Sequence, residues 1–105
     1  GANLTGLLNA YLVSSREDME RLKQVVEAQD QLQTTRALHR IKGSADMLGA
    51  SRLAALIGSL EDKSRMKMLG TREFNALYLQ ITQSYEELTE MIGGYLDKLD
   101  DKQAN

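Results

Sequence analysis

An all-α fold, an antiparallel up-down four-helix bundle with an additional short N-terminal helix, is predicted by three features of the sequence. Apolar residues recur at i, i+3, i+4 and i+7 in one segment after another, the period of a helix with one buried face. The chain has no proline and a single phenylalanine, and clusters of turn residues are few, so little in it favours a sheet or interrupts a helix. Its 105 residues, 42% of them hydrophobic, suffice for one core and hence one domain over residues 1–105.

The elements follow in order. Asn3 can cap a short first helix whose stripe is Leu4, Leu7, Leu8, Tyr11 and Leu12, and which plugs one end of the bundle. Ser14 with Glu17, or Ser15 with Asp18, reads as the start of a second helix with Met19, Leu22, Val25 and Val26 turned inward. A break is expected at Ala28-Gln29-Asp30. Asp30 then caps a helix over residues 31–48, which Gly49 ends in a left-handed conformation. Ser51 caps the next, in which Leu53, Leu56, Ile57 and Leu60 face the core and Glu61, Asp62, Lys63 and Arg65 face water. The chain turns around Met68-Leu69-Gly70. Thr71 opens the longest helix, with Phe74, Leu77, Tyr78, Ile81, Tyr85, Leu88, Ile92, Tyr95, Leu96 and Leu99 in register. Gly93-Gly94 marks a weak point or bend in it, and the tail over residues 100–105 is expected to fray. Four long helices on short connections are what an up-down bundle needs.

Composition excludes several functions. Without cysteine there is no disulfide framework and no thiolate metal site, which fits a reducing cytoplasm. A single histidine leaves no ligand set for a metal or haem, so no metal-binding residue is assigned. A net charge of −2 with both signs scattered lacks the basic stripe that nucleic acid requires. No apolar run approaches the roughly 20 residues of a membrane span, and the start of the chain has neither the charged nor the apolar region of a signal peptide. Gly1-Ala2 reads as the scar of an expression tag.

Chemistry concentrates at His39. On a helical wheel Leu38, Ile41, Ala45 and Leu48 fall within about 80° of one another, and His39 points about 140° away from their mean. The ring therefore sits among Thr35, Arg36, Lys42, Gly43 and Asp46, on a face turned to water. Glycine inside a helix costs roughly 1 kcal/mol relative to alanine, and no turn is wanted at Gly43, so the gap serves close approach to the imidazole at i−4. Lys42 places a cation one turn from the ring, suited to a bound or developing phosphoryl group.

The run His39-Arg40-Ile41-Lys42-Gly43-Ser44-Ala45, followed by Leu48-Gly49-Ala50, resembles the HxxKG(S/A) signature of bacterial histidine-containing phosphotransfer (HPt) domains. The resemblance continues through Leu53-Ala54-Ala55-Leu56 and Leu60-Glu61. It implies a helical bundle with the histidine outside one helix, about midway along it. It also implies His39 as phosphoacceptor, Lys42 as the phosphate-stabilising cation and Gly43 as the gap that admits a receiver domain. Such a domain has no cofactor of its own, since the receiver brings the acidic pocket and Mg²⁺, and its partners are response-regulator receivers. The expected setting is cytoplasmic, either as a free shuttle or, the favoured alternative, as the C-terminal module of a hybrid sensor histidine kinase, and monomeric when isolated. The sequence carries no glycine-rich ATP motif of a kinase catalytic domain, so it does not phosphorylate itself from ATP. The competing reading is a structural or adaptor bundle that docks partners without phosphotransfer; it predicts that His39→Gln leaves function intact.

Leu32, Arg36 and Met47 lie within about 80° of His39 on the wheel, so two apolar side chains share its face, ringed by Arg36, Arg40 and Lys42. Such a patch suits a small transient interface with an acidic receiver pocket, and the flexible thioether of Met47 can adapt to more than one partner. Met47→Asp is accordingly expected to weaken receiver binding and slow transfer while shifting the melting temperature by no more than a few degrees. Burial of Met47 in the bundle would overturn this.

Overall fold

The structure, a computed structural model, describes residues 2–104, and among these there are four helices and no strand: α1 (Ala2–Glu27), α2 (Gln31–Leu48), α3 (Ser51–Arg65) and α4 (Arg72–Ala104). The class is the one the periodicity predicts, but the additional short N-terminal helix is absent. α1 runs unbroken through Ser14 and Ser15 because no glycine or proline lies between Leu7 and Glu27 to stop it. A capping serine would fold its side chain back from extended backbone. Ser15 is instead helical and buried, with its hydroxyl 2.7 Å from that of Tyr85 on α4. The end plug disappears with the break: Leu4 and Leu7 remain 44% and 48% exposed, while Tyr11 is buried and Leu8 and Leu12 pack against the core.

α2 starts and stops where expected. The Asp30 carboxylate accepts the N–H of Gln33 at 3.0 Å. Gly49 is left-handed (φ 84°), its N–H donates to the Asp46 carbonyl, and the N–H of Ala50 donates to that of Ala45 at 2.9 Å. The same pair of bonds closes α1 around Gln29 (φ 55°) and α3 around Lys67 (φ 60°). Both carry side chains into a conformation that glycine takes more readily, so neither stop is announced by residue type. Ser51 is not the cap of α3. That position is Ala50, which makes no side-chain bond, and the Ser51 hydroxyl turns back to the Gly49 carbonyl. Thr71 does cap α4, its Oγ1 accepting the N–H of Phe74 at 3.2 Å. α4 stays helical across Gly93-Gly94 and past Asp100 as far as Ala104. Gly1, half of the expected scar, lies outside the described residues.

The core joins Leu38, Ile41 and Ala45 of α2 to Leu53, Ala54, Ile57 and Leu60 of α3, with Leu22 and Val25 from α1 and Phe74, Ile81 and Ile92 from α4. Polar contacts step along the open side of the α2/α3 seam: Gln31 and Thr35 reach Ser64, His39 reaches Glu61, and the Lys42 stem lies against Gly58. Partners descend along α3 as they ascend along α2, so these two helices are antiparallel. With 26 and 33 residues, α1 and α4 are much longer than α2 and α3, and the molecule extends 53 Å. Among the described residues no helix is long and apolar enough to cross a membrane.

One consequence is readable in alkaline solution. Burial, and after it the neighbouring Tyr85, pushes the Tyr11 phenol from its ordinary 10.0 up to about 12. The folded chain keeps that proton where the unfolded chain loses it, so the linked stability is complete below a pH of about 10 and is lost as pH rises through about 12. Urea midpoints should fall across this window, and Tyr11→Phe should flatten the fall. An identical slope in the variant would exclude Tyr11 as its source.

Candidate functional site

His39 sits near the middle of α2, on the side opposite Ile41, and its side chain is 75% exposed. Its Nδ1 lies 3.2 Å from Oε2 of Glu61 on α3, a residue only 4% exposed. An ionised carboxylate can only accept, so Nδ1 carries a hydrogen, and in the neutral ring Nε2 keeps its lone pair on the exposed side. Arg65, one turn further along α3, reaches the same Glu61 oxygen and approaches Asp62 at 3.8 Å. A carboxylate so buried requires a countercharge, and the guanidinium provides it.

Glu61 corrects the expectation that it faces water with Asp62, Lys63 and Arg65. Among these four, Asp62 and Arg65 are exposed, Lys63 is half-buried and Glu61 is buried. The reason is helical phase: Ala54, Ile57, Glu61 and Ser64 follow the i, i+3, i+7, i+10 spacing of a single face, and all four are buried. That face is the one α3 turns toward α2. The spacing was available in the sequence; the polar identity of Glu61 and Ser64 hid it.

Lys42 directs its ammonium to Asp46 Oδ2 at 3.1 Å, while its stem crosses to α3 above Gly58. His39, Lys42, Gly58, Ser59, Glu61 and Arg65 line a shared open cleft of about 450 Å³. Gly43 is exposed, and a Cβ added there would meet nothing within 4 Å, so packing within the chain does not ask for glycine.

The remaining residues of the sequence-based site are dispersed around this centre. Thr35 is half-buried and fastens the seam, donating to the Gln31 carbonyl at 2.9 Å and lying 2.7 Å from the Ser64 hydroxyl. Arg36 and Arg40 lean the other way, toward α1, into a shallow groove with Asp18, whose carboxylate meets Arg40 Nε at 3.3 Å. Leu32 and Met47 are 57% and 83% exposed. His39 and Lys42 thus come together on the α3 side, joined by Glu61, Arg65 and Gly58, none of which was picked out as a site residue.

Among families of known proteins, the model of the Hpt domain matches residues 6–94, a span that contains all of α2 and α3. No curated protein and no solved structure matches the chain.

The Glu61 contact fixes a tautomer that can be observed directly. In ¹⁵N-resolved NMR spectra of the imidazole near neutral pH, the neutral ring should appear as the Nδ1–H form. In Glu61→Ala it should move toward the Nε2–H form that free imidazole side chains prefer, and an unchanged ring pattern would show that Glu61 does not set it.

Proposed function

Because the chain belongs to the Hpt domain family, whose members are phosphotransfer modules of two-component phosphorelays and not kinases, we propose that His39 takes a phosphoryl group from a receiver-domain aspartate and passes it to a response-regulator receiver. The observation that carries this reading is an imidazole three-quarters exposed on a rigid helix and tied at one nitrogen to a buried carboxylate. In the forward step the Nε2 lone pair attacks phosphorus in line. The N–P bond forms as the aspartyl O–P bond breaks, and the electron pair of the broken bond returns to the receiver's carboxylate. The ring gains positive character as it loses the lone pair, and Glu61, hydrogen-bonded to Nδ1–H, stabilises it. Reversal of the same step delivers the group to the next receiver.

Lys42 contributes a cation to the transferring oxygens, exchanging Asp46 for the phosphoryl group. Gly43 leaves the approach to the ring open; its cost to the helix, about 1 kcal/mol, has no counterpart in intrachain packing. In this reading Leu32, Arg36, Arg40 and Met47 form the docking rim, Thr35 holds the seam beneath it, and the Mg²⁺ of the reaction belongs to the receiver. The domain spans residues 1–105 as a monomeric, antiparallel up-down bundle. It works in the cytoplasm, as the C-terminal module of a hybrid sensor histidine kinase. An adaptor bundle would use neither a free Nε2 nor the glycine beside it.

Incubation with a phosphorylated receiver should place one acid-labile phosphoryl group on the domain, at His39, and none on His39→Gln. Lys42→Ala should slow transfer by up to about a hundred- to a thousandfold, the scale of losing one preorganised electrostatic contact to developing charge, with an unchanged helical signal. Gly43→Ala should transfer faster than Gly43→Gln, which crowds the ring. Full labelling of His39→Gln would refute the assignment outright.

A further inference from the structure

We propose that Gly58 of α3 is a positioning residue for phosphotransfer: the missing side chain is the slot that holds the stem of Lys42 and so sets where its ammonium stands in the His39 cleft. The inference rests on the role given to Lys42 above. A Cβ at Gly58 would lie 3.2 Å from Cε and 3.5 Å from Cδ of Lys42, and among the described residues it would meet nothing else within 4 Å outside its own helical turn. Folding alone would not choose glycine here. Position 58 is well inside α3, away from both caps, and glycine is among the poorest helix formers. At Gly43, Gly93 and Gly94 an added Cβ would meet open space, so among the glycines inside the helices from α2 to α4, Gly58 alone has a side chain resting on it.

Geometry explains why the slot matters to the site. Lys42 leaves α2 one turn after His39, and its stem crosses the seam in the rung next to the His39–Glu61 contact. The side chain is 40% exposed, so the stem is partly supported and the ammonium is in water beside Asp46. A side chain at 58 lifts the stem off α3. Four flexible methylenes then let the ammonium swing outward, away from the cleft that Lys42 and His39 share. The ion pair with Asp46 limits that swing from the α2 side, and Gly58 limits it from the α3 side.

The test is graded and has a second readout independent of phosphotransfer. Gly58→Ala requires a shift of a few tenths of an ångström and should raise the melting temperature while slowing transfer from a phosphorylated receiver slightly. Gly58→Leu fills the slot and should slow transfer toward the level of Lys42→Ala. In a Lys42→Ala background, Gly58→Leu should then have no further effect, because there is no stem left to displace. Side-chain NMR of Lys42 in the free domain should show its Cε methylene shifted in Gly58→Leu, whether or not any transfer occurs. Wild-type transfer rates in Gly58→Leu, an equal slowing in the Lys42→Ala background, or an unmoved Lys42 methylene would each overturn the inference. Absence of transfer to the wild-type domain would instead overturn the proposed function and leave the NMR result to judge Gly58.

Discussion

A carboxylate with 4% of its surface in water has to be neutralised where it stands, and Glu61 imposes that requirement on everything around it. Two groups answer it: Arg65 from one turn further along α3, and His39 across the seam. Arg65 supplies the countercharge, and His39 meets the carboxylate as an N–H donor. The imidazole is thereby oriented without being spent on charge balance. Remove the carboxylate, and the ring is an ordinary mobile surface histidine; remove Arg65, and a buried negative charge is left leaning on the ring alone.

This pairing is only as exact as the register between α2 and α3. Leu38, Ile41 and Ala45 against Ala54, Ile57 and Leu60 fix that register from the core side, where a slip by one residue would bury polar groups and expose apolar ones. From the open side, Thr35 with Ser64 and Gln31 with the Ser64 carbonyl fasten the same seam a turn or more away from His39. The connection between the two helices is short, and both of its hydrogen bonds at Gly49 and Ala50 are made. The site is consequently carried by helix interiors and not by loops, where thermal motion would blur a 3.2 Å contact.

Much of this was legible in the residues. The all-helical class, both ends of α2, the outward direction of His39 and the exposure of Met47 follow from spacing and capping alone. What was not legible has physical causes. Ser14 and Ser15 carry the signature of a helix start, yet the signature only permits a cap; with no glycine or proline to end the preceding turns, continuation of α1 wins. Gln29 and Lys67 stop helices in a left-handed conformation that their residue types do not advertise. Glu61 and Ser64 lie on a buried face that hydrophobicity alone cannot trace, because burial there is made tolerable by partners on another helix. Pairing across helices is information that a single segment does not contain.

Three of the cations around the histidine are already paired within the chain. Lys42 already faces Asp46, Arg40 already faces Asp18, and Arg65 already faces Glu61 and Asp62. Under the proposed function, Lys42 would have to leave a carboxylate that returns as soon as a phosphoryl group departs. The ion pair given up on arrival and recovered on departure offsets part of what the lysine contributes, so Lys42 would hold such a group less tightly than an unpaired cation would. Under the proposed function that weaker hold suits a carrier from which the group leaves as readily as it arrives.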